Sequence, residues 1–507
     1  MSKNNKKKIE YGDWQTNFPL ALSVCQYIKK QGVNPQIVIE PTCGIGNFVL
    51  AAIEVFDNIE EIYAIEINAE YTQALSERLA NKNITPQIHI INDSIFNVDL
   101  LQIKRKIRGK NILVLGNPPW VTNSKLGEYE SGNIPLKSNF KQNKGLDAIT
   151  GKGNFDIAEF ITYQMIEMIE GESGTLAFLL KSSVIKNLVF EQKKSRHAIN
   201  DICEYNIDTQ KEFNVSVAGA LLTLKADKEV CRQCKIFDFY TKEYLKTFGW
   251  VDFSFVSDCQ KYKETKNIDG ISPIKWWSGL KHDCTKVMEL TRVGNHYKNN
   301  IGETVEIENG LVYPFLKSSD IKGEEILRCR KYVIVTQHHT SDNTSYIKER
   351  FPLTFSYLHE HKEFFDSRKS TIYKNRPDFC IFGIGDYSFK KYKIVISGLY
   401  KQTKFSIVGL IDDKETMLDD TTYLLGFEDK FLAVTTLKIL NSKLVQEFIR
   451  SVFFEDSKRP ISKELLMRID LIKALNLLGN KRLGLSEDEY YEYKNKICPQ
   501  PELNLLW

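Results

Sequence analysis

Short aliphatic runs at residues 37–40, 61–65, 87–91, 112–115, 174–180 and 218–224 are separated by stretches whose apolar positions recur at helical spacing, as at 19–28, 47–56 and 153–169. Strands covered on both faces read as continuous apolar runs, so this alternation predicts a doubly wound α/β domain with a mostly parallel sheet. Beyond about residue 300 the pattern changes to mixed short strands and loops, which predicts a second, α+β domain. The expected boundaries are a first domain at 1–228, a connector or start of the second domain at 229–300, the second domain at 301–475 and a tail at 476–507. The stretch from 481 onward alternates charged and apolar residues and predicts a short helix docked on the second domain. Residues 127–151, rich in Gly, Asn and Lys, read as a long loop, either one that closes over nucleic acid or a plainly flexible one.

The strand ends carry the candidate chemistry, because ligands of an open parallel sheet bind beyond the carboxyl ends of its strands. The first run ends in Glu40 and leads into Pro41-Thr42-Cys43-Gly44-Ile45-Gly46, a turn whose Gly44 and Gly46 let a ligand approach the backbone. Glu66 ends the second run about 20 residues further on, a spacing that suits a carboxylate reaching ribose hydroxyls. The third leads into Asp93, placed to accept the amino group of a cofactor adenine, and the fourth into Asn117-Pro118-Pro119-Trp120. Taken alone, Asn-Pro-Pro is a turn. In this ordered set it suits methylation of an aromatic amine. The Asn117 side-chain oxygen and the Pro118 carbonyl can each accept one amine N–H, drawing the nitrogen toward tetrahedral geometry and aiming its lone pair at a methyl group. Each proline fixes φ near about −65°, and Trp120 offers a face for stacking.

The series Glu40 to Gly46, Glu66, Asp93 and Asn117-Pro118-Pro119-Trp120 resembles the N6-adenine DNA methyltransferases of bacterial type II restriction-modification systems, in the group whose target-recognition domain follows the catalytic one. The resemblance implies a Rossmann-like catalytic domain and S-adenosylmethionine as methyl donor. It implies Glu66 on the ribose, Asp93 on the adenine amino group, and Glu40 with the Gly44 and Gly46 backbone near the methionine part, with Asn117 bordering that site. It also implies double-stranded DNA as partner, an adenine flipped from the duplex, and a cognate restriction endonuclease acting on the same site. Residues 12–17 are similar to the family's first motif, in which Thr16 touches the methionine moiety; Asn17 stands where proline is common, and a helix N-cap is the competing role for Thr16. Trp120 stands where tyrosine or phenylalanine is commoner. Phe213, in Phe213-Asn214-Val215-Ser216-Val217, matches the motif that supplies a second aromatic beside the base, with a core phenylalanine as the alternative. In the second domain, residues 309–320, 383–389, 393–400 and 457–460 resemble segments of target-recognition domains.

Composition changes this picture little. The 507 residues, 42% of them hydrophobic, suffice for two or three domains, and no apolar run approaches the roughly 18 residues of a membrane span. The basic start at Lys3, Lys6, Lys7 and Lys8 leads into polar sequence, so a cytoplasmic location is expected. The net charge, 69 − 65 = +4, says little about nucleic acid, but residues 362–404 hold ten lysines and arginines against four acids with aromatics interleaved, a surface suited to phosphate contacts. Ten cysteines include Cys231-Arg232-Gln233-Cys234, yet no second Cys-x-x-Cys completes a zinc pattern, so neither metal nor disulfides are expected. Serine usually replaces Asn117 in cytosine-N4 methyltransferases. A fused nuclease would need an acidic cluster, and Pro377-Asp378 lies some 50 residues from Glu428-Asp429-Lys430. Protein-glutamine and ribosomal RNA methyltransferases, which share such loops, seldom carry so large a C-terminal domain.

Overall fold

The computed structural model describes residues 15–80, 82, 84–121, 156–455 and 459–497. The loop expected at 127–151, residues 12–14 of the motif at 12–17 and the end of the tail lie outside these. The chain divides into two compact units, Met1–Cys259 and Gln260–Trp507.

The first unit is built on a ten-stranded sheet of β1 (Ile37–Glu40), β2 (Glu61–Glu66), β3 (Gln87–Asn92), β4 (Asn111–Gly116), β5 (Ser173–Lys181), β6 (Ile199–Ile207), β7 (Gly219–Ala226), β8 (Gln233–Asp238), β9 (Tyr244–Val251) and β10 (Ser254–Val256). Their spatial order is β10-β9-β8-β6-β7-β5-β4-β1-β2-β3. β1 pairs in parallel with both β2 and β4, β4 pairs in parallel with β5, and β7 runs antiparallel between β5 and β6. All four residues of β1 are buried, as expected of a central strand covered on both faces. The helix Phe18–Lys30 and the almost wholly apolar helix Asn47–Val55 are packed into the core, whereas Ala69–Ala80 buries only the stripe Thr72, Leu75 and Leu79.

Chain order reverses between β1 and β4, which places the crevice at the carboxyl ends of those two strands. The stretch 229–300, expected as a connector or the start of the second domain, divides between the two units. β8 to β10 extend the first sheet through antiparallel β8–β9 and β9–β10 ladders and a parallel β6–β8 ladder, so the first unit runs well past residue 228. The sequence offered little sign of this because β8 and β9 are only partly buried and carry polar and charged residues, so neither leaves a continuous apolar run.

The second unit is of mixed type. One sheet orders Thr304–Val305, His296–Asn299, Glu289–Val293, Lys331–Ile334, Val312–Leu316 and Met417–Leu418; the other orders Trp277–Ser278, Thr422–Phe427, Tyr392–Ser397, Ser406–Val408 and Glu325–Ile326. The predicted tail helix is present as Glu487–Ile497 and docks within this unit by Tyr493, whose fully buried hydroxyl meets Thr436 Oγ1 at 2.8 Å. The basic run at 362–404 is not a single surface. Tyr392–Ser397 is the middle strand of its sheet and Lys393 is 1% exposed, so the sequence reading that placed it on a phosphate-binding face is corrected. No helix among the described residues is long and apolar enough to cross a membrane.

Candidate active site

Four carboxyl strand ends in the spatial order β3, β2, β1, β4 bring Asp93, Glu66, Glu40 and Asn117 to one edge of the sheet. The turn after β1 works because Gly44 and Gly46 adopt φ of +50° and +80°. A Cβ on Gly46 would lie 2.2 Å from Leu75 Cδ1, so a side chain there meets both backbone strain and the neighbouring helix. Glu66 clamps the turn. Its Oε2 accepts from Gly44 N–H and its Oε1 from Asn68 N–H, each at 2.9 Å, which orients the carboxylate. Asp93 is exposed and held through Oδ1, which accepts from Ser94 N–H at 2.7 Å and Asn97 Nδ2 at 3.0 Å.

Glu40 differs from its neighbours. It is 2% exposed, and its Oε2 accepts from Val49 N–H at 3.1 Å in the first turn of the helix that follows the glycine turn. Burial pushes its carboxyl well above the usual range, with the Glu66 charge adding to the effect and the Val49 bond opposing it. The same burial pushes the Cys43 thiol up, so this cysteine is an inert packing group.

Asn117 is tied to the N-terminal segment. Its Nδ2 donates to Thr16 Oγ1 at 3.1 Å, which fixes which way the carboxamide faces. Thr16 is 5% exposed, and the helix that follows is capped by Asn17, whose Oδ1 accepts from Leu20 N–H at 2.9 Å. The two roles weighed for Thr16 are thereby separated. Asn17, the departure from the family's proline, supplies the cap, and Thr16 is left to meet Asn117.

Sequence reasoning missed the rest of this network. Asn47 Nδ2 donates to the Thr16 carbonyl at 2.7 Å, and Arg78 donates to the Ile45 carbonyl at 2.6 Å and to Asn47 Oδ1 at 2.9 Å. One guanidinium therefore braces the glycine turn and, through Asn47, the segment carrying Thr16. No local motif marks Arg78, which reads as an ordinary polar face of an amphipathic helix.

Trp120 and Phe213 do meet, with ring centroids 5.5 Å apart at 60°. Both are buried, at 8% and 7% exposure, and Trp120 Nε1 donates to the Leu179 carbonyl at 3.3 Å. The two rings thus pack edge to face within the hydrophobic core of the first unit. Gly219 makes space for them, since a Cβ at that position would lie 2.5 Å from the Trp120 ring.

Residues 313–469 match the TaqI-like C-terminal specificity domain. The chain is 40% identical over 469 residues to the Type II methyltransferase M.NspV of Nostoc sp., a match that covers 92% of this chain and 97% of that one. The chain belongs to the type II methyltransferases. Among solved structures it is similar to the Type IIL restriction-modification enzyme MmeI in complex with DNA, with 14% identity, a TM-score of 0.50, and coverage of 97% of this chain and 72% of that one, a likeness of fold. As a type II methyltransferase it is a DNA methyltransferase of a restriction-modification system, and its methyl donor is S-adenosylmethionine.

The crevice fits that donor. The turn brings bare backbone at the two left-handed glycines beside an oriented carboxylate, and Thr42 Oγ1 is buried on the same turn with no hydrogen-bond partner among the described residues. Among the described residues no group of three or more His, Cys, Asp or Glu is arranged to hold a metal ion, and Cys234 of the Cys-x-x-Cys pair is buried in β8. If Glu66 holds the ribose, Glu66→Ala is expected to weaken S-adenosylmethionine binding about 10- to 100-fold, the scale of a lost charge-assisted hydrogen bond. Turnover at saturating cofactor should stay near wild type; calorimetry and steady-state rates report the two separately, and unchanged affinity would remove Glu66 from the site.

Proposed function

We propose that this enzyme methylates N6 of an adenine flipped out of duplex DNA, with the first unit carrying the chemistry and the second reading the site. The observation that supports it is the placement of Asn117, at the end of β4, beside the glycine turn at the end of β1, across the point where strand order reverses. Glu66 holds the ribose of the donor, Asp93 its adenine amino group, and the Gly44–Gly46 turn, Glu40 and Thr16 its methionine part. When bound, the donor supplies an electrophilic methyl on a sulfonium centre.

Asn117 Oδ1 and the Pro118 carbonyl each accept one N–H of the adenine amine. The lone pair leaves conjugation with the ring as the nitrogen becomes tetrahedral, and the two oxygens stabilise the positive charge that develops on it. No covalent intermediate on the protein is required. Thr16 acts through Asn117, since its hydroxyl takes the amide N–H and keeps the amide oxygen toward the amine. The Trp120–Phe213 pair bounds the base pocket on its apolar side. Flipping costs a few kcal/mol of unstacking, which contacts to the phosphate backbone offset. A cognate endonuclease, if encoded, would read the same sequence.

Nucleoside mass spectrometry of duplex DNA modified by the purified enzyme tests the reading. N6-methyladenine is expected; N4-methylcytosine would retain the acceptor chemistry and overturn the base assignment.

A further inference from the structure

Nothing above assigns a side chain in the second unit to the DNA sequence. A cleft of about 930 Å³ in that unit is lined by Lys275, Trp277, His339, Arg376, Asp386 and Tyr387, among others. It draws together parts that are far apart in the chain, and two of these residues, Lys275 and Trp277, lie outside the 313–469 match.

The walls are held in place. Trp277 and Tyr387 stack with centroids 4.3 Å apart and planes 2° from parallel, and Lys275 Nζ lies 4.0 Å above the Trp277 ring. The loop carrying His339 is anchored by Asp342 Oδ2, which accepts from the His338 and His339 N–H groups at 3.1 and 2.8 Å, and the His338 ring stacks on Phe389 at 4.0 Å. The opposite segment is fixed by Gly383, whose φ is +70° and whose Cβ, if present, would lie 2.2 Å from the Gly279 carbonyl oxygen. Across this gap His339 Nε2 meets Asp386 Oδ1 at 3.0 Å, while the Asp386 side chain remains 84% exposed. No residue among those described bonds to Asp386 Oδ2. An exposed carboxylate with one oxygen pinned and one presented to solvent, set among exposed Lys275 and Arg376, contributes little to folding. It would repel a polyanion unless it met a hydrogen-bond donor.

We propose that this cleft is a base-reading site for the DNA target. Asp386, oriented by His339, accepts the exocyclic amino group of one adenine or cytosine in the major groove, and Lys275 and Arg376 hold the adjoining phosphates. A carboxylate is acceptor-only, so it favours the bases that show an amino group in that groove over guanine and thymine. This assignment rests on the enzyme acting on DNA.

The test is methylation of a randomised duplex pool by full-length enzyme, followed by sequencing of the modified sites. Wild type should return one motif. Asp386→Ala should lose about 10- to 100-fold of its discrimination at a single adenine or cytosine position and keep it elsewhere, with unchanged melting. Asp386→Asn separates the two bases, because asparagine pairs with both N6 and N7 of adenine: a cytosine position shifts toward adenine, and an adenine position is retained. Lys275→Ala should weaken binding evenly over all sequences and reduce the salt dependence by about one unit of log–log slope. An Asp386→Ala motif identical to wild type at every position would overturn the assignment while leaving DNA methylation intact. Absence of DNA methylation by wild type would instead overturn the functional reading on which it rests.

Discussion

Replacing Asn117 by alanine is expected to lower the methyl-transfer rate constant about 10²- to 10³-fold, the scale seen when one preorganised group facing transition-state charge is removed. The effect falls on kcat because the second acceptor bond matters most as the nitrogen pyramidalises and becomes positive, a demand absent from the ground state. S-adenosylmethionine affinity should stay close to wild type, since the turn that carries Gly44 and Gly46 is braced by Glu66 and Arg78 rather than by Asn117. Single-turnover methylation of cognate duplex and cofactor titration report the two quantities. Wild-type turnover by Asn117→Ala would remove this residue from the chemistry. The alanine also leaves Thr16 Oγ1 without its present donor, so Thr16→Val is the informative companion. It keeps the shape of residue 16 and loses the hydroxyl, and a smaller kcat loss with the same sign is the outcome that assigns Thr16 a positioning role through Asn117.

Lys393→Met is expected to stabilise the second unit. Lys393 is buried, its Nζ donating to the Lys390 carbonyl at 2.7 Å, and burial lowers its ammonium from 10.5 to about 7, with Glu415 and Glu428 opposing the shift. The folded pKa lies below that of the unfolded chain, so the unfolded chain binds the extra proton between about 7 and 10.5. The lysine's penalty is therefore full below about pH 7, and wild-type stability recovers as pH rises through that window. Methionine has similar length and no charge, and after allowance for the lost hydrogen bond the expected gain near neutral pH is about 3 kcal/mol. Urea unfolding of both proteins across pH checks it. The gain should shrink steadily toward alkaline pH, and a gain independent of pH would mean that charge burial is not its cause.

Much of the first unit was legible because its signals are local. β1, β2 and β4 are interior parallel strands with mostly buried residues, so each left a continuous apolar run, and the glycine turn and Asn-Pro-Pro-Trp follow two of those runs directly; β3, at the sheet edge, is only half-buried. Runs of this kind also ordered Glu40, Glu66, Asp93 and Asn117, because residues just past successive parallel strands share one edge whatever the exact packing. The second unit was legible mainly as a change of pattern.

Where the sequence by itself settled which backbone turns face the crevice, tertiary structure decided what each side chain meets there. Thr16 and Asn117 are 101 residues apart, and no periodicity links them. Arg78 bonds to the Ile45 carbonyl 33 residues away, and Trp277 stacks on Tyr387 from outside the residues that match the specificity domain. Lys393 looked like one charge among many in a basic run, yet strand pairing on both sides carried it into the interior, while Trp120 and Phe213 turned their rings on each other. Element type follows from short-range pattern, which a chain records in consecutive residues. Partnership across a sheet or a turn depends on pairing between distant segments, and many sequences satisfy the same local pattern with different partners.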